Sequence, residues 1–196
     1  MRKIVICVTG KIGSGKSTAS AILAKILDGK IIDVDKIGHK TLEKEEVIEK
    51  LKEVFGEKIV KNGKVDRKAL GKIVFSDRKL LKKLESILHP IMVKTVEEEV
   101  KNSKKIIIID CALLERMELD KMCDLIITMK SSYETSRSRK PQISEEIFNK
   151  IWQNQKDVAD MGEVIWNESG KEKLKENIIK VLKKHRLNPQ KALRGE

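Results

Sequence analysis

The chain has 196 residues, a formal net charge of +12, 37% charged residues and 3% aromatic ones. That length suits one domain with room for an inserted subdomain, and no run of apolar residues is long enough to cross a membrane. The positive balance would attract a polyphosphate ligand or a nucleic acid, but scarce aromatics leave few platforms for stacking bases, and the excess of Lys and Glu equally suits a thermophile surface laced with ion pairs.

Residues 4–9 read as a buried strand. They start so near the N-terminus that no signal peptide is expected before them. Next comes Gly10-Lys11-Ile12-Gly13-Ser14-Gly15-Lys16-Ser17, which fits the phosphate-cradling pattern G-x-x-x-x-G-K-[ST]. A helix-forming run from Thr18 to Leu27 follows, giving the strand–loop–helix context that the motif needs. The glycines allow backbone amides to approach a polyphosphate, and the helix N-terminus adds partial positive charge. Lys16 would bridge the outer phosphates and Ser17 would ligate magnesium. Gly10, Gly13, Ser14, Gly15, Lys16, Ser17 and Thr18 are therefore the expected ATP contacts.

A second strand is expected over residues 30–35, a third over 106–110, a fourth over 124–129 and a short fifth over 164–166. Strands alternating with helices imply a parallel sheet between helical layers. Between the second and third strands lie about seventy residues with helical periodicity, read as an insertion on one side of the sheet. One expected helix carries Leu42, Val47, Ile48, Leu51 and Val54. Another carries Leu80, Leu81, Leu84, Ile87 and Leu88, and a separate one, with Pro90 in its first turn, carries Met92, Val93, Val96 and Val100. Asn62-Gly63 marks a turn. Residues 131–143 are basic and turn-rich, where a phosphate-covering lid would sit. A helix from Ser144 is expected to bury Ile147 and Ile151, and a last helix to bury Leu174, Ile178 and Leu182. The basic tail beyond Lys184 is expected to fray. Cys7, Cys111 and Cys123 are odd in number and lack CxxC spacing, so free buried thiols and a reducing cytoplasm are expected rather than a disulfide or zinc site.

A P-loop alone does not name a reaction. Asp35 and Gly38 make a D-x-x-G match, but no N-K-x-D follows to read guanine, which argues against a GTPase. Motor ATPases usually need a larger core. Phosphoryl transfer to a small acceptor needs magnesium at the P-loop, a carboxylate near the acceptor hydroxyl and cations around the moving phosphoryl group. Asp33 closes the second strand at the carboxyl edge of the sheet, where ligands bind. It could take the acceptor's proton, hold a magnesium-bound water, or simply cap a helix. Asp110 ends the third strand like a Walker-B aspartate, and with Ser17 and Asp33 forms the expected metal set. Arg137 and Arg139 are candidates for charge stabilisation, with ordinary surface arginines as the alternative.

At these residues the chain resembles dephospho-CoA kinases. The resemblance rests on Thr9-Gly10-Lys11-Ile12-Gly13-Ser14-Gly15-Lys16-Ser17-Thr18, Asp33-Val34-Asp35 with His39, Phe55-Gly56, Asp66-Arg67-Lys68-Ala69-Leu70, Leu84-Glu85-Ser86-Ile87-Leu88-His89-Pro90-Ile91 and Val164-Ile165-Trp166-Asn167. It implies ATP-dependent phosphorylation of the ribose 3′-hydroxyl of dephospho-CoA, the last step of coenzyme A synthesis, with ATP and Mg2+. Asp33 stands at the family's proposed base, with Lys16 and Arg139 as catalytic cations. Arg137 and Asn167 join the ATP contacts, and Asp35, His39, Arg67 and His89 fall at acceptor-binding positions. His89 could equally be a structural cap. The implied fold is an α/β, three-layer P-loop kinase with a five-stranded parallel sheet, one domain over residues 1–196, a helical CoA-binding insertion over 36–103 and a lid over 131–150. No nucleic acid, membrane or obligate protein partner is implied. The chain departs from the family after the third strand, where Ala112-Leu113-Leu114-Glu115-Arg116 lacks a proline and carries its glutamate one residue early, so no role is carried to Glu115. The lid lacks the family's glutamine. Arg139 is favoured as its first arginine, with Arg137 the alternative register. A nucleoside or nucleotide kinase of the same fold is the competing enzyme reading, and a basic nucleic-acid-binding ATPase the competing reading from another class.

Overall fold

A computed structural model describes residues 4–187. In chain order the elements are β1 (Val5–Gly10), α1 (Lys16–Leu27), β2 (Lys30–Asp33), α2 (Val34–Thr41), α3 (Glu45–Phe55), β3 (Val60–Lys61), β4 (Lys64–Val65), α4 (Arg67–Val74), α5 (Arg78–Asn102), β5 (Ile107–Asp110), β6 (Leu125–Lys130), α6 (Tyr133–Ser138), α7 (Glu145–Asn154), β7 (Glu163–Trp166) and α8 (Lys171–Lys184). The order β2-β5-β1-β6-β7 makes one five-stranded sheet in which each neighbouring pair is parallel. The expected P-loop kinase architecture is thus present. β3 and β4 form a separate antiparallel hairpin. Its turn is Asn62-Gly63, with φ of 52° and 73°, as a two-residue hairpin loop requires.

The apolar strands bury both faces, because alternate side chains point to opposite sides. Val5, Cys7, Ile107 and Ile109 join a core made with α2, α3, α4 and α5. Ile6, Val8, Ile108 and Ile127 join a second core made with α1 and α8, to which Leu174, Ile178 and Leu182 contribute as expected. The helical insertion therefore covers one face of the sheet and α1 with α8 covers the other.

Four expectations are corrected. β2 ends at Asp33 rather than at residue 35, because Asp33 caps α2 and turns the chain into a helix. The two helices expected on either side of Pro90 are one, α5, with Pro90 inside it. Proline removes one helical hydrogen bond, yet Leu88, Met92 and Val96 on both sides of it stay buried against the same core. In α7 the buried residue is Phe148, while Ile147 is 40% exposed; in α3 Phe55 is buried and Val54 is 40% exposed. In both helices the aromatic one residue further on takes the core position. The cysteines differ as well. Cys7 and Cys123 form a disulfide across a sequence separation of 116, and Cys111 alone stays free and buried. Spacing could not reveal this pair, since β1 and the approach to β6 meet only through the sheet. Burial pushes the Cys111 thiol up to about 12, so it is an inert core residue. The expected frayed tail falls beyond residue 187 and outside the described residues.

A disulfide closing so long a loop restricts the unfolded chain. Breaking it with Cys123→Ala is expected to lower the unfolding free energy by about 2–4 kcal/mol. Urea titration with and without reductant checks this, and coincident midpoints would contradict it.

Candidate active site

The P-loop leaves β1 at Gly10, whose Cα is paired with that of Met129 on β6. A Cβ at Gly10 would lie 2.2 Å from the Met129 carbonyl oxygen, and its φ is 137°. Gly15 has φ 97°, a conformation that L side chains rarely adopt, and a Cβ there would push the Asn167 amide, 2.2 Å away, off the Ser14 carbonyl. Only glycine satisfies both constraints. Gly13 sits against the Ser136 backbone. The turn is closed by the Ser14 amide donating to the Lys11 carbonyl at 3.2 Å. Ser14 Oγ is buried without a hydrogen-bond partner among the described residues. Gly15 caps α1 without a side chain, and the first turn of α1 holds no acidic residue. Its amides are thus left for an anion. Ser17 and Thr18 are exposed in that turn.

Lys16 Nζ donates to the Lys11 carbonyl at 3.2 Å, folding the ammonium back onto the loop. Burial lowers its pKa, opposed by the charges of Asp110 and Asp35. Ser17 stands close enough to the Asp110 carboxylate to favour its charged form. The Asp110 pKa is raised, first by burial and then by the nearby charges of Asp35 and Asp33; Lys16 and Ser17 oppose the shift. Asp33 and Asp110 are register partners on adjacent strands, so two carboxylates stand side by side at the carboxyl edge. Asp33 Oδ1 accepts from the Lys36 amide at 3.0 Å, and Oδ2 pairs with Lys36 Nζ at 3.1 Å. The capping alternative is therefore real, but it occupies one oxygen. The other faces a lysine that is 77% exposed, a weak surface pair that a substrate can displace. Asp35 and His39 are exposed on α2, one turn apart.

The donor set suits magnesium in its usual mode. Among the described residues no three His, Cys, Asp or Glu side chains cluster to hold a metal by themselves. Magnesium keeps waters and takes substrate phosphates, with few protein ligands. A hydroxyl backed by a carboxylate, beside a phosphate-binding loop, fits that need.

The segment after β6 reaches over the P-loop. Arg139 donates through Nη1 to the Gly13 carbonyl at 3.2 Å and through Nη2 to the Asn167 carbonyl at 2.7 Å. Asn167 Nδ2 donates to the Ser14 carbonyl at 2.9 Å. These two expected residues do meet the loop. Arg137 does not: its Nη1 donates to the Lys140 carbonyl at 2.8 Å, and its guanidinium lies 5.4 Å from the Phe148 ring centre. Lys11 places its ammonium 5.0 Å from the Trp152 ring centre, which gives this variable loop position a packing partner. Gln155, which sequence reasoning missed, accepts from the Ile12 amide at 2.7 Å. No local signal marks that contact, because it joins residues 143 positions apart.

On the helical side, Arg67 is exposed at the start of α4, and no hydrogen bond or ion pair among the described residues joins it to the P-loop. His89 lies within α5 rather than at a helix start, which removes the capping alternative. It lines a cleft of about 460 Å³ with Arg78, Lys82, Glu85, Arg116 and Lys156. Burial lowers the His89 pKa; Glu85 opposes this and Arg116 adds to it.

The family model described as dephospho-CoA kinase matches residues 4–164. A dephospho-CoA kinase of Fusobacterium nucleatum is 37% identical over 160 residues, covering 79% of this chain and 82% of the relative. A solved dephospho-CoA kinase from Campylobacter jejuni is 26% identical, with a TM-score of 0.64, over 94% of this chain and 98% of that one. A solved Thermus thermophilus protein is 27% identical, with a TM-score of 0.77, over 94% of this chain and 98% of that one. With a five-stranded P-loop core, paired carboxylates at its edge and these matches over most of its length, the chain belongs to the dephospho-CoA kinase family.

Proposed function

We propose that the site at the carboxyl edge of the sheet moves the terminal phosphoryl group of ATP to the ribose 3′-hydroxyl of dephospho-CoA. Phosphorylation of dephospho-CoA to coenzyme A follows from family membership; the hydroxyl and the roles of residues are our reading. The observation that carries it is the register pairing of Asp33 with Asp110 at the carboxyl edge, beside the P-loop.

In this reading the amides of residues 13–18 cradle the phosphates, and the unpartnered Ser14 hydroxyl gains an acceptor there. Lys16 exchanges the Lys11 carbonyl for phosphate oxygens. Ser17, with Asp110 and Asp33, would hold magnesium, which would supply charge neutralisation at the transferring phosphates. Asp33 turns from Lys36 to the acceptor hydroxyl and takes its proton as the ribose oxygen attacks phosphorus and ADP leaves. Arg139 and Asn167 brace the loop, and Arg139 meets the charge that grows during transfer. Arg137, turned toward α7, serves the nucleotide only indirectly. Asp35, His39, Arg67 and His89 bind the acceptor; Arg67 suits its pyrophosphate, since a planar fork grips phosphate oxygens in pairs. The helices within residues 36–103 are the acceptor-binding insertion, and residues 131–150 the lid. We place the reaction in the cytoplasm, the compartment that holds ATP; the Cys7–Cys123 bond removes the argument from free cysteines.

Asparagine caps helices as well as aspartate does, which separates the two roles of Asp33. Asp33→Asn is expected to keep the melting temperature and ATP affinity while turnover falls by at least about a hundredfold, the scale of a lost general base. Near-normal turnover would remove Asp33 as the base. Arg139→Ala is expected to lower kcat by about a hundredfold or more, with Arg137→Ala costing at least about tenfold less. The reverse ranking in steady-state kinetics would move the stabilising charge to Arg137.

A further inference from the structure

Arg116 lies on the connection leaving β5. Its side chain is only 23% exposed, and it grips two other parts of the fold. Nη1 donates to Glu85 Oε1 on α5 at 2.8 Å. Nε donates to Asp157 Oδ2, just past α7, at 2.8 Å, and Nη2 donates to the carbonyl of Asn154, the last residue of α7. The planar fork holds a carboxylate on each side in a fixed geometry, which a lysine's freely turning ammonium does not impose. Glu85 is itself only 18% exposed, so this pair is less screened than a surface one.

The two ends of this knot face different halves of the site. Glu85 stands one helical turn before His89 on α5, and both line the 460 Å³ cleft with Arg116. Asn154 and Asp157 bracket Gln155, whose side chain accepts the Ile12 amide of the P-loop. Hydrogen bonds thus run from α5 through Arg116 to the end of α7, and from Gln155 in that same stretch of chain to the phosphate loop. We propose that Arg116 is a positioning residue that holds the acceptor-side face of α5 in register with the nucleotide-side loop. This rests on the placement of the acceptor against α5 given above.

Three substitutions separate the links. Arg116→Met keeps much of the stem and removes the fork, Glu85→Gln weakens the α5 link, and Gln155→Ala removes the P-loop link. Each is assayed with ATP and dephospho-CoA varied in turn, below its own melting temperature. Arg116→Met is expected to raise both KM values by about tenfold, the scale of a misplaced reactant. Glu85→Gln is expected to raise KM for dephospho-CoA alone, and Gln155→Ala KM for ATP alone. Arg116→Lys should restore only part of the loss. An Arg116→Met enzyme that melts earlier but keeps both KM values within about twofold would overturn the proposal and leave a merely structural knot. Should Arg116→Met fail to fold, the two flanking variants decide: the expected split supports the proposal, and its absence overturns it. If the wild-type protein bound ATP but left dephospho-CoA untouched, the acceptor assignment would fall instead. Arg116 would then be judged by ATP affinity alone, with a weakened Arg116→Met supporting it and an unchanged one overturning it.

Discussion

β1 is paired on both sides, with Val8 opposite Asp110 of β5 and Gly10 opposite Met129 of β6. Those pairings leave the chain no freedom where it leaves the sheet. The strand ends close against the Met129 carbonyl, so its last residue is a glycine with positive φ. Ser17 then comes round to meet Asp110, and the β2–β5 register brings Asp33 alongside. The placement of the P-loop and of the Asp110 and Asp33 carboxylates follows from one parallel register. The apolar cores on the two faces hold that register in place.

The site is charged before any substrate binds. Lys16 is held among carboxylates at the loop, and burial penalises charge on both Lys16 and Asp110. Partly desolvated charges interact more strongly than they would in water. A polyphosphate with its cation would give each of them a partner. Arg139 and Asn167 already hold loop carbonyls, so closing over a nucleotide requires little rebuilding of the loop. Preorganisation of this kind is the main protein contribution to phosphoryl transfer.

The fold and the backbone geometry of the P-loop were largely legible in the sequence. The loop's glycines answer a local backbone demand, and the β-branched run before Asp110 can only be a strand buried on both faces. Asp33 was legible as a strand-end carboxylate, and its capping role sits beside the proposed one. What the sequence hid is non-local. Pro90 reads as a helix start by its chemistry, and only burial of Leu88, Met92 and Val96 on one core shows that the helix runs through it. Phe148 and Phe55 are buried while the neighbouring Ile147 and Val54 are exposed, because periodicity fits either of two adjacent positions and packing against the rest of the fold decides between them. The Cys7–Cys123 bond, the Gln155 contact and the grip of Arg116 each join distant segments through the sheet or across the site.

The acceptor is the central claim, and product analysis tests it most directly. ADP release would be followed with dephospho-CoA and, separately, with nucleoside monophosphates, and the product's phosphorus NMR spectrum would locate the new phosphate. The family assignment predicts turnover of dephospho-CoA with the phosphate on the ribose 3′-oxygen, and far slower release with the monophosphates. Preferential turnover of a nucleoside monophosphate, or a phosphate elsewhere on dephospho-CoA, would contradict it.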